Sequence, residues 1–240
     1  MKTVLCIGGL DPAGRAGLLA DARAVQAMGA RPLCVATALT FQSSLRMTGY
    51  EAVPAHTLDR QLEVLLRDEA IDAVKVGQLA SADNAAVVSR LPMALPIVLD
   101  TPLASSGGVA LFPLDALAAY TPLLSRAVLV TPNAPELAVL GREMPLETRE
   151  AAISIARDLG AAAVLVKGGH LPGAEVEDVL VTVDETVSFR SPRLPGPFRG
   201  TGCRLASAIA ARIAQGDDLS LAVSLARQWL LEDLLRESAQ

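Results

Sequence analysis

Six short apolar runs, Thr3–Ile7, Pro32–Leu39, Ala73–Val76, Pro96–Leu99, Ala127–Val130 and Ala163–Val166, are spaced along the chain with helical segments in every interval. The intervening segments are Ala16–Met28, Leu58–Glu69, Ala82–Arg90, Leu114–Thr121, Ala134–Leu140 and Thr148–Leu159. Runs that are apolar throughout, rather than at alternate positions, read as strands covered on both faces. A βαβα order of this kind closes only as a mainly parallel sheet with helices on both sides, a three-layer α/β/α sandwich. After Lys167 the rhythm changes. Glu175–Val183 and Thr186–Phe189 flank a tight Asp184-Glu185 turn and predict an antiparallel hairpin, so the sheet edge is mixed. Two helices, Cys203–Gln215 and Leu219–Arg236, complete the pattern. No linker, repeat or compositional shift interrupts it, and a single domain over residues 1–240 is expected.

Half of the residues (51%) are apolar, enough for a large core without staples. The net charge is −5, and the basic residues are scattered singly, which argues against a nucleic-acid surface and for small-molecule chemistry. Three cysteines without CxxC or Cys/His clustering indicate neither a disulfide framework nor a zinc site, and point to a reducing compartment. The first residues run straight into a strand pattern, with no targeting signal, and no apolar run reaches membrane-spanning length. A soluble, cytoplasmic protein is the expectation, with no membrane partner.

Gly200-Thr201-Gly202-Cys203 stands directly before Arg204-Leu-Ala-Ser-Ala-Ile-Ala-Ala-Arg-Ile-Ala, a segment of strong helix propensity. Two glycines let the backbone wrap an anion, and the helix start aims unpaired N–H groups and its positive dipole end at the same place. The thiol of Cys203 adds a group that takes a proton from a substrate hydroxyl once the helix terminus lowers its pKa from about 8.5. Phosphoryl transfer follows from the combination. The alternative is a buried, inert cysteine, a common fate of the residue.

In a doubly wound sheet, ligands gather outside the carboxyl ends of the strands. Here those ends carry Gly8-Gly9-Leu10-Asp11-Pro12-Ala13-Gly14-Arg15-Ala16-Gly17, Thr40-Phe41-Gln42, Gly77-Gln78, Asp100-Thr101-Pro102, Thr131-Pro132-Asn133-Ala134-Pro135-Glu136 and Lys167-Gly168-Gly169-His170. The glycines of the first loop miss the GxGxxG spacing, no GxxxxGK[ST] run occurs, and no GxSxG elbow is present. Dinucleotide-dependent, P-loop and triad chemistry therefore lack support.

GGLDPAGRAGLLAD, VLDTP, VTPNAPE, VLVKGGH and GTGC together resemble the ribokinase-like superfamily, and within it the hydroxymethylpyrimidine/phosphomethylpyrimidine kinases of thiamine biosynthesis. The resemblance runs over nearly the whole chain. It implies a ribokinase-like fold and ATP-dependent phosphorylation of a hydroxymethylpyrimidine or its monophosphate. By it, Cys203 is the general base, and the N–H groups of Gly200, Thr201, Gly202 and Cys203 hold the transferring phosphoryl group. Glu136 orients magnesium through water, and Asp100 helps organise it. Asn133 and Lys167 meet the ATP phosphates, and His170 lies near the nucleotide. Each has an ordinary alternative: a first-turn acid for Glu136, a turn opener for Asp100, a snorkelling lysine for Lys167 and a solvated loop residue for His170. Asp11 and Gln42 are implied as partners of the pyrimidine edge, with Gly9 and Ala16 leaving room for the ring and Gln78 lining its pocket. Asp21 reads equally as a helix-surface carboxylate.

Arg15, Gln78 and Arg204 depart from the family pattern, as does Pro195-Gly196-Pro197-Phe198-Arg199. They fall around the ligands, and Arg15, Arg199 and Arg204 are candidates to meet an extra phosphate on the substrate. Pyridoxal is the nearest competing acceptor, although residues 100–108 hold no cysteine to cover an aldehyde. A non-catalytic vitamin-precursor-binding protein is the reading from another class. Few aromatics imply aliphatic contacts to adenine, and the resemblance implies a homodimer, with Leu219–Arg236 or Pro32–Leu39 as candidate surfaces. Magnesium is expected to arrive with ATP, and a monovalent cation near the anion loop is a further candidate.

Overall fold

The computed structural model describes residues 1–141, 148–169, 173–196 and 198–239. Nine strands form one sheet: β1 (Thr3–Leu10), β2 (Arg31–Gln42), β3 (Met47–Ala52), β4 (Ala73–Val76), β5 (Ile97–Leu99), β6 (Leu129–Val130), β7 (Ala163–Val166), β8 (Glu175–Thr182) and β9 (Thr186–Pro192). Their order is β3-β2-β1-β4-β5-β6-β7-β8-β9. The pairs from β2 through β7 are parallel, while β3, β8 and β9 add antiparallel edges.

Among the described residues eight α-helices cover the sheet: α1 (Gly17–Ala27), α2 (Ala55–Asp68), α3 (Ala82–Ser89), α4 (Thr121–Arg126), α5 (Ala134–Gly141), α6 (Arg149–Asp158), α7 (Thr201–Ala214) and α8 (Leu219–Ser238). Alternate residues of each central strand feed opposite cores. Val4 and Cys6 of β1 pack with α1, α7 and α8, whereas Leu5 and Ile7 pack with α2, α3 and α4. A third cluster places α5 and α6 against Val164 and Val166 of β7 and Val179 and Val181 of β8. The result is the α/β/α sandwich expected from the chain order.

Three segments differ from the sequence reading. The β2 run continues to Gln42 and returns as β3 through a turn closed by the Ser43 N–H on the Arg46 carbonyl. Met47–Ala52 is an edge strand of mixed composition, so no apolar run marks it. Leu114–Thr121 is not one α-helix. A 3-10 helix over Leu114–Tyr120 gives way to α4, because Pro122 has no N–H to continue the ladder and sits instead in the first turn of the new helix. β6 shrinks to Leu129–Val130, half of the expected run.

Candidate active site

The parallel strands end on one rim, and a cavity of about 510 Å³ opens there. Two loops meet across it. Gly200, the N-cap of α7, is left-handed at φ 65°, and a Cβ there would lie 2.2 Å from the Arg15 carbonyl oxygen. Gly17, at φ 55°, approaches the Gly9 carbonyl just as closely. Only glycine fits such contacts, so the backbones of the two loops touch. No side chain caps α7, and its first turn presents N–H groups toward the cavity. A Cβ on Gly202 would sit 3.0 Å from Lys167 Nζ, which places that ammonium directly beside the helix start.

Charged groups alternate across the strand ends. Lys75 Nζ donates to both oxygens of Asp21, at 2.9 and 3.0 Å, and Ser207 of α7 donates to Asp21 at 2.8 Å. The side chains of this pair are 1% and 0% exposed. Burial raises Asp21 while Lys75 draws it back; Lys75 itself is raised against burial by Asp21, Cys203 and Asp100. Further along, Lys167 Nζ donates to Asp100 Oδ1 at 2.9 Å and lies 3.8 Å from Glu136. Burial opposes ionisation of Asp100, but Lys167 and Lys75 together hold it below the usual carboxylate range. Burial pushes Glu136 up to about 7.

Cys203 faces the same cavity, yet its expected low pKa is not observed. Burial pushes the thiol up to about 11, and Asp21 and Asp100 add to the rise. Lys75 and the Gly17 N–H favour the thiolate without overcoming that cost. The sequence shows a helix terminus but not the two carboxylates that the fold brings to it.

Asn133 and Glu136 form a reciprocal capping box on α5. The Asn133 N–H donates to Glu136 Oε2 at 2.9 Å, and the Glu136 N–H donates to Asn133 Oδ1 at 2.8 Å. Thr131 Oγ1 donates to Asp100 at 3.2 Å. Two carboxylates thus converge on one ammonium. This donor set suits magnesium bound through one or two acidic groups, water and phosphate, and no group of three or more metal-ligating side chains occurs among the described residues.

On the acceptor side, Asp11 is committed to its own loop. It accepts from the N–H groups of Ala13, Arg15 and Ala16 at 2.8, 3.0 and 2.9 Å, and from Gln42 Nε2 at 3.1 Å. Both oxygens therefore shape the loop. Gln78 is buried, its amide oxygen lies over Gly9, and its Nε2 has no protein partner. Gly9, Ala16, Gln42 and Gln78 line the cavity together.

The three arginines considered for an extra phosphate have protein partners in this structure. Arg15 pairs with Glu237 at 2.6 Å, and Arg204 with Asp233 and Glu237 at 2.9 and 3.0 Å, tying the end of α8 to both loops. Arg199 donates to the Leu45 carbonyl at the tip of the β2–β3 ribbon. His170 lies outside the described residues.

Sequence reasoning missed Lys75 and the Asp178–Arg227 pair, and left Asp21 undecided. A lysine inside the four-residue strand Ala-Val-Lys-Val was a legible signal, since a buried ammonium needs a partner. Asp21 falls on the buried stripe of α1 with Leu18 and Val25. Asp178 accepts from the Gly168 N–H at 2.8 Å and pairs with Arg227, which also donates to Ser191 at 3.1 Å. It anchors the turn that follows Lys167. Burial pushes Arg227 down to about 10.

Residues 11–239 match the phosphomethylpyrimidine kinase family. A thiamine biosynthesis multifunctional protein, ThiED, of Corynebacterium efficiens is 39% identical over 96% of this chain, which spans 32% of that protein. The chain thus spans about a third of that larger relative. A hydroxymethylpyrimidine/phosphomethylpyrimidine kinase of Rhizobium meliloti is 36% identical over 94% of this chain and 88% of its own length. Among solved structures, the pyridoxal kinase from Staphylococcus aureus in complex with AMP-PCP and pyridoxal superposes with a TM-score of 0.85 at 26% identity, covering 95% of this chain and 85% of that one. Family match and fold agree: the chain belongs to the phosphomethylpyrimidine kinase family.

Proposed function

We propose that this protein transfers the γ-phosphoryl group of ATP to 4-amino-5-hydroxymethyl-2-methylpyrimidine and to its monophosphate. One observation carries the reading: a single cavity joins Cys203 and the open first turn of α7 to the Lys167–Asp100–Glu136 cluster on one side and to Gly9, Gln42 and Gln78 on the other. An acceptor oxygen and a triphosphate fit between them.

The acceptor oxygen bonds to the γ-phosphorus as the bond to the ADP oxygen breaks. The N–H groups of Thr201, Gly202 and Cys203 hold the charge on the phosphoryl oxygens, and one such donor is worth about 2.7–4 kcal/mol. Lys167 neutralises the phosphates. Cys203, as thiolate, takes the hydroxyl proton when the acceptor is the alcohol. Its raised pKa makes it a strong base that is scarce at neutral pH, so the thiolate-dependent rate climbs with pH. Asp100 and Glu136 would hold magnesium, which supplies charge neutralisation between the phosphates. Val176, Leu230, Leu231 and Leu234 line the nucleotide end and suit an adenine held by aliphatic contacts.

A cytoplasmic homodimer completes the proposal. Among the described residues no helix is long and apolar enough to cross a membrane, and Leu39, Phe41 and Leu45 are exposed on the β2–β3 ribbon. Light scattering reads the mass. ADP release is measured with the pyrimidine alcohol, its phosphate, pyridoxal or no acceptor, and products are identified by mass. Turnover with both pyrimidines supports the reading. Preference for pyridoxal assigns the competing acceptor, and binding without turnover in every arm identifies a sensor.

A further inference from the structure

Two of the three cysteines lie outside the proposed chemistry, and the fold brings them together. Cys6 of β1 and Cys34 of β2 are register partners in a parallel pair, so their side chains leave the same face of the sheet. Adjacent strands are about 4.8 Å apart, inside the 4.4–6.8 Å window of Cα separations that a disulfide spans. Cys6 is fully buried and Cys34 is exposed. The Cys34 thiol lies 3.9 Å from the Leu18 carbonyl oxygen, on the side of α1 that also covers Cys6; the neighbouring Cys6 lowers the Cys34 pKa, and the pairing together with burial raises that of Cys6. On its other side Cys6 is in register with Lys75, whose positive charge favours both thiolates. An exposed cysteine of lowered pKa beside a second cysteine is the arrangement found in oxidant-sensitive thiol pairs. Cys203 differs: it is half-buried, and burial raises its thiol rather than lowering it.

We propose that Cys34 and Cys6 form a reversible oxidation site, in which hydroperoxides oxidise Cys34 first and Cys6 resolves it as an intramolecular disulfide, sparing Cys203. The Cys34 thiolate attacks the peroxide; an S–O bond forms, the O–O bond breaks and hydroxide or alkoxide leaves. Cys6 then attacks the Cys34 sulfur. The S–S bond forms, the S–O bond breaks, and the departing hydroxide takes the Cys6 proton as water. One peroxide accepts the two electrons, and a dithiol returns them.

The experiment treats the full chain with limiting hydrogen peroxide and follows intact mass, peptide maps without reductant, and dimedone labelling. The expected wild-type product has lost two hydrogens, contains a linked Cys6–Cys34 peptide pair, keeps Cys203 reduced, and reverts with dithiothreitol. Cys6→Ala accumulates dimedone-reactive Cys34, and Cys34→Ser forms no bond; circular dichroism of both checks that they fold. Oxidation of Cys203 before Cys34 overturns the proposal. So does a Cys34 sulfenic acid that persists in the wild type, or a wild-type product without the linked pair. These readouts need no kinase turnover and are independent of the acceptor assignment.

Discussion

Replacing Lys75 with methionine removes one half of an ion pair that water does not reach. Lys75 and Asp21 are 1% and 0% exposed and share two hydrogen bonds of 2.9 and 3.0 Å, so the variant leaves a buried carboxylate with Ser207 as its remaining donor. Removing one partner of such a pair costs about 3–5 kcal/mol, because the remaining charge is desolvated without compensation. That is a large share of the total stability of a domain, about 5–15 kcal/mol. Asp21 in the variant is expected to take up a proton, since burial already raises it and the opposing ammonium is gone. Its folded pKa then lies further above the unfolded value, so stability of the variant declines as pH rises from about 3.9 toward that folded pKa. Urea unfolding at several pH values reads the effect, with the double variant Lys75→Met, Asp21→Leu as the control. An apolar replacement of both partners recovers most of the loss. A single-variant cost below about 1 kcal/mol, or a double variant no more stable than Lys75→Met, refutes the reasoning.

Other predictions probe the loops and the titrating groups. Gly200→Ala meets both the left-handed backbone, at about 1–2 kcal/mol, and the 2.2 Å approach to the Arg15 carbonyl; unfolding midpoint and KM for acceptor are both expected to worsen, and an unchanged variant contradicts the close contact. The thiol of Cys203 is raised to about 11, so its contribution to stability falls as pH rises from about 8.5 to that value, and Cys203→Ala removes this decline in urea titrations. In the wild type, kcat/KM for the alcohol climbs over the same interval. A plateau reached below pH of about 8 speaks against the base role. Asp178→Ala strips the partner from Arg227 and the acceptor from the Gly168 N–H, so KM for ATP rises more than kcat falls; a pure kcat effect would place the pair elsewhere in the chemistry.

The central strands were legible because burial on both faces leaves no room for polar residues: Ala163–Val166 reads the same in sequence and structure. The edges were less so. Met47–Ala52 is held by its ladder to β2 and carries no apolar signature of its own, and Pro122 splits a segment that propensity alone joins. For the site, local motifs showed the helix start with its glycines and placed Asn133 and Glu136 together at the start of a helix, though not their reciprocal capping bonds. What they could not show is charge contributed from distant strands. Burial of Cys203 in the packed fold, with Asp21 and Asp100 adding to it, reverses the pKa shift that the helix terminus suggests. The pairing of Arg15 and Arg204 with Glu237 and Asp233 of α8 likewise joins residues far apart in the chain and was not legible locally.

Transfer of label from γ-labelled ATP to the hydroxymethylpyrimidine, compared between wild type and Cys203→Ala, tests the phosphoryl-transfer site most directly. The wild type should yield labelled pyrimidine phosphate in step with ADP, and the variant should fall by about 100- to 10,000-fold while still binding both ligands. Label remaining on ATP in the wild type, or equal transfer by the variant, would contradict a Cys203-centred kinase site.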